Sequence, residues 1–206
     1  AFALQFEVPT AAIREVLATD ERANRQQYGA LREAGKRQRA AAAEKVTARE
    51  HVRDWLKDGG KAWIRINDVR SPEWEKDLEM LGNLPNLQGV MLAKTENSEH
   101  VSLTAARLRE GTPIVALVES ADGLAAATHI AKTKPVVRLA FGIGDYRRDT
   151  GIGSSPLALA YTRSQFVVSS RVARVAPPID GPTISNEVAV LREAAEHAVE
   201  MGMTGK

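Results

Sequence analysis

Residues 113–145 read PIVALVESADGLAAATHIAKTKPVVRLAFGIGD and lay out one strand, one helical stretch and a second strand. The runs 113–119 and 136–141 are short and apolar on both faces, which suits parallel strands covered on both sides. Between them, residues 121–132 are rich in alanine, the strongest helix former. Toward the N-terminus the alternation continues. Residues 89–94 (GVMLAK) are another short apolar run, and 61–67 (KAWIRIN) alternate Ala62, Ile64 and Ile66 with Trp63, Arg65 and Asn67, the period-two signature of a strand. Trp74, Leu78 and Leu81 fall at i, i+4 and i+7 on a helix between them. Strand starts recur about every 25 residues, the length of one strand–helix unit. Toward the C-terminus, residues 156–174 read as a long helix with Leu159, Phe166, Val167 and Ser170 near one face. Residues 176–182 (APPIDGP) read as a short strand or a rigid turn held by three prolines. Ser185 offers an N-cap for a last helix through Val188, Leu191, Ala195 and Val199. The pattern is α/β, and its regular repeat favours a (β/α) barrel over an open sheet.

Residues 1–57 are less regular. Residues 1–9 suit a strand, and Ile13 and Leu17 an amphipathic helix. Residues 20–43 are rich in Arg, Gln, Glu and Ala with few large apolar side chains. The basic cluster Lys36-Arg37-Gln38-Arg39 reads as a solvated helix face, because acids lie nearby and no aromatic platform accompanies it. The 206 residues, 44% hydrophobic and 26% charged, suit one domain over 1–206 with an atypical part at 1–43. The chain has no cysteine, which excludes disulfides, cysteine-based zinc and iron–sulfur sites and thiol nucleophiles, and fits a reducing cytoplasm. No apolar run approaches the roughly 20 residues of a membrane span, and no signal peptide opens the sequence. The expectation is a soluble, cytoplasmic protein. A net charge of +2 produces no global field for nucleic acid.

In parallel α/β folds, functional side chains gather at the C-terminal ends of strands. Arg65 has the opposite parity to Ile64 and Ile66, Glu119 ends PIVALVE, and Asp145 follows VVRLAF through Gly142-Ile143-Gly144. Two carboxylates on neighbouring strand ends form a hard oxygen site suited to Mg2+, which keeps waters for substrate oxygens to replace. An arginine beside them would grip a carboxylate in its bidentate fork. Glycine at Gly144 lets backbone N–H groups approach an anion closely. Lys94, ending GVMLAK, could steer a phosphate or carboxylate, or reach solvent as an ordinary strand-end lysine. His51, His100, His129 and His197 lack metal-ligand spacing and read as surface residues. No P-loop, dinucleotide fingerprint, nucleophile elbow or His-Glu-x-x-His is present.

With these residues in view, the sequence resembles the citrate lyase beta-subunit-like (CoA-ester lyase) branch of the HpcH/HpaI aldolase superfamily. The matching segments run in order: Lys45-x-x-Ala48-Arg49, Ile64-Arg65-Ile66-Asn67, Gly89-Val90-Met91-Leu92-Ala93-Lys94 and Leu117-Val118-Glu119-Ser120-Ala121-Asp122-Gly123. They continue with Arg138-Leu139-Ala140-Phe141-Gly142-x-Gly144-Asp145-Tyr146, Tyr161-x-Arg163-Ser164, Pro177-Pro178-Ile179-Asp180-Gly181-Pro182 and Gly202-Met203-Thr204-Gly205-Lys206. The resemblance implies a TIM-type (β/α) barrel that could be incomplete at its N-terminal segment and its last strand. It implies that Glu119 and Asp145 bind Mg2+ and that Arg65 holds the carboxylate of a 2-oxo acid such as oxaloacetate or glyoxylate. It further implies a lyase that cleaves or forms a hydroxyacyl-CoA thioester, and a homo-oligomer, trimer or hexamer. Among its departures from the family, the usual Asp-Leu-Glu-Asp segment is replaced by residues 36–43, which carry no acid. Two other readings stand beside the lyase: a non-catalytic binding or assembly protein retaining the metal and oxo-acid pocket, and a free 2-oxo-acid (pyruvate-type) aldolase.

Overall fold

The computed structural model describes residues 42–206. The strand expected at 1–9, the helix through Ile13 and Leu17, and the basic cluster at 36–39 lie outside the described residues. The chain runs α1 (Ala42–Lys57), β1 (Ala62–Ile66), α2 (Pro72–Leu81), β2 (Leu87–Leu92), α3 (Ser98–Ala105), β3 (Ile114–Val118), α4 (Ala121–Ala125), α5 (Ala127–Lys132), β4 (Val136–Phe141), α6 (Ile143–Thr150), α7 (Pro156–Ala173), β5 (Ala176–Ile179) and α8 (Val188–Glu200). All four strand pairings are parallel, and the order across the sheet is β1-β2-β3-β4-β5.

That order fixes the architecture. Parallel crossovers are right-handed, so connections that always step in one direction put every helix on the same face of the sheet. A doubly wound sheet would reverse direction at some strand and fill both faces. The packing agrees with the first case. Ile64, Val90, Leu92, Ile114, Ala116, Val118, Leu139 and Phe141 share the large core with Leu56, Trp74, Leu78, Leu81, Val101, Ile130 and Phe166 from the helices. The other face holds a small cluster made by strands alone, Met91, Val115, Leu117, Ala140 and Ile179, with Trp63 and Ala93 against it. This is the arc of a (β/α) barrel, with Arg65 facing inward beside Met91 through its register with that residue.

Local chemistry sets the boundaries. Ser71 caps α2 by accepting the Glu73 N–H, with Pro72 in the first turn, and Ser155 with Pro156 does the same for α7. Two expectations are corrected. The alanine-rich stretch 121–132 is two short helices that meet at Ala126, which closes the first and opens the second with ψ near 0°. Ser185 does not cap the last helix. It accepts the Glu187 N–H two residues on, and α8 starts at Val188 with Glu187 as the capping position. The apolar stripe of α8 is also exposed, and only Ala198 of that helix is buried.

Two buried ion clusters hold the ends of the arc. Asp77 on α2 accepts from Arg49 Nε of α1 at 2.8 Å and from the Asn67 N–H just past β1 at 2.9 Å. Hydrogen bonds from Arg49 and then Lys76 hold the neighbouring Glu73 carboxyl down to about 2. At the other end, Arg163 of α7 grips Asp180 through Nε and Nη2, each at 3.1 Å, and Lys206 joins them. Beside them, the Thr204 N–H donates to Pro178 O and the Asp180 N–H to Gly205 O, so the last residues extend the ladder along β5.

Candidate active site

The C-terminal ends of β1 to β4 converge on Glu119, the residue after β3. Its Oε1 accepts the Lys94 backbone N–H at 2.9 Å. Its other oxygen, Oε2, lies 2.5 Å from where a Cβ on residue 142 would stand, so only glycine at Gly142 leaves it room. Burial raises the Glu119 carboxyl above the usual range, and Asp145 pushes the same way. The Lys94 N–H, Arg65 and the Lys94 ammonium pull against it. Asp145, Arg65 and Lys94 therefore sit within electrostatic reach of the half-buried Glu119 carboxyl.

Asp145 does not lie in a glycine turn, as the sequence suggested, but in the first turn of α6, which begins immediately after Gly142. The placement comes from its neighbour. Tyr146 is buried with its ring edge-on to Phe141 at 5.3 Å, and Phe141 in turn meets Phe166 at 5.0 Å. Thr162 Oγ1 donates to the Tyr146 hydroxyl at 3.1 Å. With Tyr146 pinned inward, Asp145 one position earlier is carried on a different face of the turn, where Arg148 Nη1 contacts Oδ1 at 2.6 Å. Gly144 lies exposed in the same turn, with no heavy atom within 4 Å of where its Cβ would be. The first N–H groups of a helix have no intrahelical partner, so this end is open to an acceptor.

The structure thus brings together Arg65, Glu119 and Asp145, with Gly144 beside them. Lys94 belongs with them through its main chain. Of the histidines, His51 and His129 are exposed as expected, and His100 Nδ1 accepts the Glu96 N–H at 3.4 Å. His197 differs: its Nε2 is buried without a hydrogen-bond partner among the described residues. Spacing did not reveal the Arg49–Asp77–Asn67 and Arg163–Asp180–Lys206 clusters. Five of their six members fall in the ordered motifs, but the motifs do not pair them, because partners 10 to 28 residues apart leave no local signal.

A one-sided parallel arc with carboxylates and an arginine at its strand ends defines a barrel-type protein with an acidic, anion-competent mouth. The model of the HpcH/HpaI aldolase/citrate lyase family matches residues 35–206, and the chain belongs to that family. A citrate lyase subunit beta-like protein of Deinococcus radiodurans is 31% identical over 174 residues, covering 81% of this chain and 61% of the relative. The chain thus spans about three fifths of that curated relative's length. Among solved structures, RipC from Yersinia pestis aligns with a TM-score of 0.72 and 26% identity, over 81% of this chain and 77% of that one. The citrate lyase beta subunit of Mycobacterium tuberculosis complexed with oxaloacetate and magnesium aligns with a TM-score of 0.69 and 27% identity, over 81% and 75%.

Proposed function

We propose that the mouth of this barrel is a Mg2+-assisted carbon–carbon lyase site that handles a 2-oxo acid and a hydroxyacyl-CoA thioester. The observation that carries the reading is the Glu119 carboxylate, oriented by Lys94 and Gly142 and close to both Asp145 and Arg65. The donor set fits the metal. No group of three or more metal-ligating side chains occurs among the described residues, and Mg2+ is characteristically held by one or two carboxylates plus waters and substrate oxygens. Bound there, Mg2+ would stabilise negative charge developing on a substrate oxygen as the bond breaks or forms.

The protein's own groups do the rest. Glu119 and Asp145 supply the hard oxygen ligands and hold them in a partly desolvated setting where charge interactions are strengthened. Arg65 receives the carboxylate of a 2-oxo acid such as oxaloacetate or glyoxylate, which fixes the reacting carbon relative to the carboxylate pair. The Gly144 N–H, at the open start of α6, donates to an anionic substrate oxygen. Relatives support this choice of ligands. The M. tuberculosis protein has been solved with oxaloacetate and magnesium, and with magnesium, acetoacetate and coenzyme A. An oligomer, trimer or hexamer, completes the proposal and is read by sedimentation.

Calorimetry with oxaloacetate tests the site, first with Mg2+ and then with EDTA, on the wild type and on Glu119→Gln. Binding that needs the metal and is lost in the variant supports it. A folded protein that binds neither ligand refutes it. Cleavage of a hydroxyacyl-CoA thioester then separates the lyase from a non-catalytic binder, and turnover without CoA would identify a free 2-oxo-acid aldolase.

A further inference from the structure

The turn after β2 carries three consecutive N–H groups that go to three different places. The Ala93 N–H donates to Ile66 O in β1 at 3.3 Å, and the Thr95 N–H donates to Leu117 O in β3 at 3.0 Å. The Lys94 N–H between them donates to Glu119 Oε1 at 2.9 Å. Lys94 achieves this with φ at +47°, a left-handed conformation that L side chains resist. Two other described residues that are not glycine share such a φ, Asn86 and Arg174, and each has a local structural use. Arg174 closes α7 as its C-cap, and the Asn86 side chain donates to Leu56 O at 2.9 Å. Only at Lys94 does the strained backbone meet a carboxylate at the mouth. Meanwhile Oε2 of the same carboxylate occupies the space left by the missing Cβ of Gly142, one residue before α6.

We propose that Lys94 is a positioning residue. Its left-handed main chain, rather than its ammonium, sets the Glu119 carboxylate so that Oε1 is engaged and Oε2 faces the turn carrying Asp145. Strain of this kind persists where the surroundings over-determine it, and here both neighbouring N–H groups are tied into the sheet. The inference rests on the metal reading above for its ligand, but the hydrogen bond stands without it.

The test compares wild type, Lys94→Gly and Lys94→Val. Mg2+ affinity is measured by calorimetry, folding by circular dichroism, and exchange of the residue 94 amide by NMR in wild type, Lys94→Gly and Glu119→Ala. Glycine adopts this φ freely and keeps the N–H, so Lys94→Gly should bind Mg2+ within about twofold of wild type. Valine is β-branched and resists the conformation, so Lys94→Val should bind about tenfold more weakly. The amide should be protected in wild type and Lys94→Gly and lose protection in Glu119→Ala. Lys94→Val binding like wild type overturns the proposal. So does Lys94→Gly losing as much as Lys94→Val, which would place the effect in the ammonium. If wild type binds no Mg2+, the functional reading fails, and amide exchange alone judges the positioning: protection that depends on Glu119 sustains it, and its absence overturns it. The same comparison decides if Lys94→Val does not fold.

Discussion

Removing the Asp180 carboxylate should destabilise the protein more than any surface change. The Asp180 side chain has no solvent exposure, and the Arg163 side chain that grips it with two hydrogen bonds is only 7% exposed. Asp180→Ala leaves that guanidinium buried with two N–H groups unpaired. Breaking one side of a buried ion pair costs about 3–5 kcal/mol, because the remaining charge keeps its desolvation penalty. Lys206, at 16% exposure, can turn toward water and adds little. In a chain of this size 1 kcal/mol moves the melting midpoint by roughly 2–4 °C, so a fall of about 6–20 °C is expected. Thermal and urea unfolding followed by circular dichroism measure it. The double variant Arg163→Met/Asp180→Leu, which removes the charges together, should recover most of the loss. A loss below about 1 kcal/mol in Asp180→Ala, or a double variant as unstable as the single one, would show that the pair is not the buried clamp described here.

Gly142→Ala places a Cβ 2.5 Å from both the Glu119 Cβ and Oε2, and the Cβ cannot swing away as a chain end can. Overpacking of this kind costs about 1–3 kcal/mol, so unfolding should occur earlier and the Glu119–Lys94 contact should be displaced in a crystal structure. An undisturbed Glu119 would contradict the geometry. For Glu119 itself, burial raises the folded carboxyl, so ionising it costs stability as pH rises past the ordinary 4.5. The melting temperature of Glu119→Gln minus that of wild type should therefore grow from near zero in acid toward a positive value at neutrality, and a flat difference would refute the assigned burial. Glu73 works in the opposite sense. Held near 2 by Arg49 and Lys76, it stabilises the fold above 4.5 and ceases to as pH falls toward 2. Glu73→Gln should be less stable than wild type at neutral pH, with the gap closing over that window in a pH series of melting curves.

Much of the fold was legible because strands and helices write their burial into local periodicity. The four strands read from residues 61–67, 89–94, 113–119 and 136–141 all form within a few residues of those bounds. Trp74, Leu78 and Leu81, spaced as one helical face, are all buried. The exceptions are instructive. Alanine content signalled helix across 121–132 but carries no information about the junction at Ala126, where one short helix ends and the next begins. Ser185 has the right chemistry for a cap, yet its hydroxyl is used in a two-residue turn before the helix begins. The stripe on α8 has helical period, and period alone does not say that a face is covered.

By itself, the sequence determined the α/β class, the strand positions and the family, because hydrophobic period and ordered motifs are properties of neighbours along the chain. It also singled out Arg65, Glu119 and Asp145 as strand-end charges. The order in which the strands pair then established that every described helix lies on one face, the arrangement the regular repeat favoured. Tertiary structure alone decided that Asp145 rides on a helix pinned by Tyr146. Finally, it brought the Lys94 main chain and the missing Cβ of Gly142 to the two oxygens of Glu119. Each of these depends on contacts that no local period announces, and a half-buried carboxylate is oriented by what surrounds it in space.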